Sequence, residues 1–111
     1  MSGTGNVLIV GEAAGADEEI EGTGFVGKSG QYLFSNLKRI GLEREQFTLA
    51  NVCACRPPNN ELAGASYEHE AIRACEPIRQ DEIRRYKSRV QHPVALALGR
   101  IAFRVSLSRL P

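Results

Sequence analysis

The apolar residues of this chain fall into two rhythms, short continuous runs and helical stripes. Asn6 to Val10 is a run rich in β-branched side chains that ends at Gly11, and it predicts a buried strand. A long loop, Glu12 to Gly27, follows it. Leu33, Leu37 and Ile40 then recur at i, i+4 and i+7, which predicts a helix over Lys28 to Ile40 with Gly41 as its stop. Phe47 to Cys53 reads as a second strand, closed off by Arg56-Pro57-Pro58-Asn59-Asn60. Ser66 is the expected N-cap of the next helix, with Glu68 and Glu70 complementing its first turn. That helix places Ile72, Cys75, Arg79, Ile83, Tyr86 and Val90 on one stripe, and Pro77 is expected to kink or split it. Val94 to Leu98 reads as a third buried strand, and a last amphipathic helix after Gly99-Arg100 bears Ile101, Phe103, Val105 and Leu107.

Strands alternating with helices predict a three-layer α/β/α fold with a short central parallel sheet and right-handed crossovers. In such sheets ligands bind beyond the carboxyl ends of the strands. Those ends are Gly11-Glu12, Asn51 to Cys55, and Gly99-Arg100. A candidate site is thus placed by topology alone. With no repeat or linker in its 111 residues, the chain is expected to be a single domain, 1–111.

Composition narrows the class. A hydrophobic share of 42% suits a globular core, and no apolar run approaches the roughly 20 residues of a membrane span. Three cysteines, an odd number, with no signal-peptide pattern at the start, predict reduced thiols that are buried or metal-binding in a cytoplasmic protein. The net charge of +1 conceals an asymmetry: residues 1–55 hold 4 basic and 7 acidic side chains, and residues 56–111 hold 10 and 6. The second half has the charge to face a polyanion, although solvated helix faces share that composition.

Gly22 to Ser29 fits the phosphate-cradling pattern G-x-x-x-x-G-K-[ST], and its first six residues fit G-x-G-x-x-G. Both patterns require a strand directly upstream. Here Asp17, Glu18, Glu19 and Glu21 stand instead, and these carboxylates would repel a phosphate. Nor does the end of a neighbouring strand offer an aspartate for magnesium. A P-loop nucleotide-binding protein is therefore the weakest of three alternatives.

Taken whole, Gly11-Glu12-Ala13-Ala14-Gly15, the acids after it, and Phe25-Val26-Gly27-Lys28-Ser29-Gly30-Gln31 resemble the first motif of family 4, the iron–sulfur type, of the uracil-DNA glycosylases. Asn51-Val52-Cys53-Ala54-Cys55-Arg56-Pro57-Pro58-Asn59 is similar to that family's second conserved strand and turn. Cys75 with Pro77 resembles the family's later cysteine block, and Val94 to Ala102 its next strand, glycine and helix. The resemblance runs in register from residue 6 to about residue 109.

The resemblance implies a base-excision hydrolase acting on uracil in DNA. Glycosylases flip the base out of the stack into a fitted slot. Phe25 would be the stacking face, and the Asn51 amide complements the O4 acceptor and N3–H donor of uracil, while cytosine presents the reverse pair. Backbone N–H groups in the Gly11 to Gly15 loop would hold uracil O2, where negative charge develops. Glu12 and Glu18 would order the loop or position the attacking water. The expected catalytic set is Glu12, Glu18 and Asn51, the substrate-binding set Gly11, Ala13, Phe25 and Asn51. The partner implied is uracil-containing DNA, with Arg56 and other basic residues on phosphates, and a monomer is expected.

The chain departs from the family at several points. Ala14 and Gly24 stand where prolines are usual. The family holds a [4Fe–4S] cluster on four cysteines, two of them upstream of the first strand. Cys55 and Cys75 match the other two ligands, Cys53 is extra and reads as a small core residue, and residues 1–5 contain no cysteine. His92-Pro93 precedes the third strand, whereas the family's catalytic His-Pro follows it, so no role is transferred to His92; His69 reads as a surface helix residue. The expectation is a domain truncated at both ends relative to the family, with an inactive nucleic-acid-binding remnant as the main alternative.

Overall fold

A computed structural model of the chain describes residues 1–13, 15, 18, 25–53 and 57–107. Three parallel strands, β1 (Val7–Ala13), β2 (Phe47–Cys53) and β3 (Val94–Ala97), form a sheet in the order β2-β1-β3. Among the described residues four α-helices accompany them: α1 (Lys28–Arg39), α2 (Glu68–Ala74), α3 (Glu76–Arg89) and α4 (Arg100–Leu107). The expected α/β/α layering is observed, because the central strand alternates between two apolar faces. Leu8 and Val10 join Ala50, Val52, Tyr86, Ile101 and Ala102 on the side of α3 and α4. Ile9, with Phe47 and Leu49, packs instead against Leu33, Phe34 and Leu37 of α1.

The end of α1 follows from its sequence. Gly41 adopts φ +86°, its N–H bonds to the Lys38 carbonyl, and the Leu42 N–H bonds to the Leu37 carbonyl. Leu37 and Leu42 pack in the same apolar cluster, which completes a Schellman stop. The predicted stripe of α2 and α3 also faces the core, and the helix is split at Cys75, with Pro77 in the first turn of α3. Tyr86 is buried among these residues, and its hydroxyl accepts the Val94 N–H at 3.1 Å while reaching the Asn6 carbonyl.

Three expectations require correction. The chain does not enter a loop at Glu12, because pairing with β2 carries β1 on to Ala13. Tyr67, not Ser66, is the N-cap of α2, without a side-chain cap bond. The Tyr67 hydroxyl is tied to the carbonyls of Pro58 and Glu61, and the Glu68 carboxylate turns back to the Gly64 N–H at 2.8 Å. The third strand is not buried: Val94 and Leu96 are 57% and 42% exposed. It pairs with β1 alone among the described residues, and the apolar layer under α1 covers β1 and β2 without reaching Val94 or Leu96. In α4 the buried face is Ile101 and Ala102, leaving Phe103 exposed; the Leu107 side chain lies outside the described residues.

Candidate active site

The register of the sheet sets Gly11 of β1 directly beside Asn51 of β2, at the carboxyl edge. Past the end of β3, the Leu98 N–H still bonds to the Val10 carbonyl at 2.9 Å, which brings Gly99 alongside. A cleft of about 540 Å³ opens at this edge. Gly11, Glu12, Ala13, Glu18, Phe25 and Asn51, all marked from the sequence, line it together. The start of α1 and the Leu98-Gly99 turn complete the wall.

One tight feature of the cleft is the absence of a side chain at Gly11. A Cβ there would lie 2.6 Å from Asn51 Oδ1 and 2.9 Å from Phe25 Cζ. An aromatic ring and a carboxamide therefore converge on bare backbone. Gly99, at φ +91°, plays a similar part on the other side, since a Cβ would stand 2.9 Å from Glu12 Oε1. Glu12 thus extends from β1 toward the β3–α4 turn, with its carboxylate at the cleft.

Glu18 is arranged differently. Its Oε2 accepts the N–H groups of Val26 at 2.7 Å and Gly27 at 2.5 Å, and its Oε1 accepts the Gly15 N–H at 3.0 Å. Partial burial works to raise this carboxyl, but the Gly27, Val26 and Gly15 donors outweigh it and hold the group below the usual glutamate value. Glu18 thereby ties both ends of the long loop together. The same contacts bear on the P-loop alternative. Lys28 and Ser29 begin α1, but the N–H groups of Val26 and Gly27 just before it are directed at a carboxylate of the chain itself. Gly22 to Gly24 lie outside the described residues.

Phe25 has φ +61°, a left-handed conformation that is rare for an aromatic residue. Its carbonyl is fixed by Arg44 Nη2 at 2.5 Å, and Gly30 of α1 packs so closely that a Cβ would fall 2.1 Å from that oxygen. Neither contact was legible from periodicity, since Arg44 lies 19 residues away in a 3₁₀ turn, Arg44–Gln46.

With this geometry in place, comparison with known proteins is decisive. The family model described as the uracil DNA glycosylase superfamily matches residues 2–109. The chain belongs to the uracil DNA glycosylase superfamily. It is similar to the type-4 uracil-DNA glycosylase of Sulfurisphaera tokodaii, 37% identical over 107 residues that cover 94% of this chain and 44% of the relative. The Archaeoglobus fulgidus enzyme of the same name is 38% identical over 106 residues, 92% of this chain and 49% of the relative. The Pyrobaculum aerophilum one is 45% identical over 71 residues. The chain spans about half the length of these curated relatives or less.

Cys53 and Cys75 are not among the residues that line the cleft. Cys53 ends β2, buried, and Cys75 sits half-buried between α2 and α3, neither in a disulfide among the described residues. Cys55 and Arg56 lie outside the described residues. Between these segments runs Arg79, 6% exposed, whose Nη1 donates to the Val52 carbonyl at 3.0 Å and the Ile72 carbonyl at 3.4 Å. Burial lowers its pKa, and the influence of Cys53 and Cys75 opposes that. The sequence read Arg79 as a stripe position; the structure makes it a polar link between β2 and α2. A four-thiolate [4Fe–4S] cluster does not fit the donor set of this chain, which holds three cysteines. Among the described residues no three metal-ligating side chains gather. His69 is exposed on α2, and His92 precedes β3 at the opposite edge of the sheet from the cleft. None of the described helices is long and apolar enough to cross a membrane.

Proposed function

We propose that the protein carrying this chain excises uracil from DNA, and that residues 1–111 form, as a single domain, the uracil-pocket half of the enzyme. The observation that carries this reading is the convergence of the Phe25 ring and the Asn51 amide on Gly11. A flipped uracil would stack on Phe25. Its O4 would accept from the Asn51 amide N–H and its N3–H would donate to Asn51 Oδ1, a pairing that cytosine inverts. Backbone N–H groups of Gly11 and Ala13 would stabilise O2 as the C1′–N1 bond electrons depart with the base.

Water adds to C1′ as that bond breaks, one of its protons passing to a carboxylate. Glu12 is the candidate for this task because its carboxylate reaches the open cleft, whereas three backbone donors engage Glu18. Glu18 is therefore assigned to ordering the loop. DNA phosphates would meet Arg56 and other basic residues of the second half, with the protein acting as a cytoplasmic monomer. The cluster that the resemblance implies enters no step here, although Cys55 and Cys75 remain the positions that match family ligands.

The test is uracil release from a single-stranded uracil oligonucleotide by the full-length polypeptide containing this chain. Asn51→Asp should reduce release sharply while leaving the fold intact, because an acceptor replaces the amide donor. Binding of the oligonucleotide without any release would instead identify a non-catalytic remnant.

A further inference from the structure

We propose that Arg44 is the positioning residue of the stacking platform, holding the Phe25 backbone so that its ring stands over Gly11. This rests on the reading of Phe25 as the base-stacking residue. A left-handed Phe persists only where its surroundings over-determine it. Here two elements meet on one atom, the Phe25 carbonyl oxygen. Arg44 Nη2 donates to it at 2.5 Å, and Gly30 of α1 lies so close that a Cβ there would fall 2.1 Å from it.

Arg44 is itself held. Its guanidinium carbon lies 4.2 Å from the centroid of the Phe34 ring, and Phe34 meets the buried Phe47 edge-on at 5.8 Å and 66°. Its 3₁₀ turn is closed by a reciprocal cap between Glu43 and Gln46, with the Glu43 N–H bonded to Gln46 Oε1 at 2.7 Å. That turn leads directly into β2, and the far end of β2 carries Asn51. One strand thus sets both elements of the pocket: the amide at its carboxyl end, and the clamp on the aromatic ring at its start. Without the clamp, an extended φ at Phe25 would swing the ring away from Gly11.

The experiment pairs Arg44→Met with Arg44→Lys. Methionine keeps an aliphatic cover over Phe34 and removes every donor, while lysine keeps one donor to the carbonyl. The Gly11 Hα resonances of the isotope-labelled chain report the ring directly, because the Phe25 ring edge lies against that carbon. In Arg44→Met they should lose their ring-current displacement, and in Arg44→Lys they should regain part of it. Uracil release should fall on the order of 10–100-fold in Arg44→Met, the scale of a roughly ångström misplacement. In a Phe25→Ala background the same substitution should change release by less than about twofold, since both changes act on one ring. A dispersed spectrum confirms that each variant is folded; if Arg44→Met does not fold, the resonances of Arg44→Lys decide. Unchanged Gly11 resonances, or losses that multiply in the double variant, would overturn the proposal. If the parent protein releases no uracil, the stacking function fails, while the Gly11 resonances still decide whether Arg44 holds the ring.

Discussion

Gly11→Ala separates the fold from the site. The new methyl would stand 2.9 Å from Phe25 Cζ and 2.6 Å from Asn51 Oδ1. Carbon contacts settle at about 3.5–4.0 Å, so the ring tip must retreat about 0.6 Å or more, and the amide by a similar amount. Both obstacles are ends of side chains, and Gly11 is not at positive φ, so the strand itself can persist. Crowding of this kind costs about 1–3 kcal/mol, of which replacing glycine within a strand returns about 0.5–1 kcal/mol. The net loss of stability is thus about 0–2.5 kcal/mol, a shift of up to several degrees in Tm. On the proposed function the effect on activity is larger, since displacing the two proposed uracil contacts by up to an ångström would cost about 10²-fold in rate, or about 2.7 kcal/mol of transition-state stabilisation. Single-turnover uracil release and thermal unfolding, measured on the same preparation, read the two effects separately. Gly41→Ala is the control: its φ of +86° makes it destabilising, yet nothing lies within 4 Å of the added carbon, and release should be unaffected. A folded Gly11→Ala protein whose release stays within about threefold of the parent would refute the convergence as the basis of the pocket.

Three further outcomes are expected. Glu18→Gln should destabilise the loop by about 1–3 kcal/mol near neutral pH, because charge-assisted bonds to three N–H groups weaken. The folded carboxyl is depressed below its unfolded value of about 4.3, so its contribution is present above that pH and lost as pH falls through the folded value. The parent and Glu18→Gln should therefore converge in acid urea titrations, and a difference constant from pH 7 to 3 would sink the assignment. Arg79→Ala should lower the unfolding free energy by about 2–4 kcal/mol, leaving a cavity and a buried Val52 carbonyl without its donor; a loss under about 0.5 kcal/mol would contradict the link. Tyr86→Phe should cost about 1–2 kcal/mol and accelerate hydrogen exchange at the Val94 amide, whose N–H it leaves without the hydroxyl acceptor; unchanged exchange there would argue against it.

The sequence by itself determined which segments become strands and helices, and at α1 where the helix stops. Phe47 to Cys53 was legible residue for residue, because a β-branched run bounded by turn residues is a local signal. The halt of α1 at Gly41 was legible for the same reason, and so were the core-facing stripe of α2 and α3 and the strand ends that hold the cleft. The motif around Gly11 marked Glu12, Glu18 and Phe25, and the block starting at Asn51 marked that amide, but neither could assign their geometry. Only the tertiary structure decided that the Glu18 carboxylate is engaged by the loop while the Glu12 carboxylate reaches the cleft. It also placed Arg44 on the Phe25 carbonyl and turned Arg79 from a stripe position into a polar link. The exposure of β3 was likewise beyond local pattern, since Val94 to Leu98 has the composition of a buried strand, and burial depends on what lies beside it. The physical reason is common to these cases. Hydrophobic period and turn chemistry act over a few residues, whereas a contact such as Gly11 with Asn51, 40 positions apart, exists only once the strand register and the helix layers are in place.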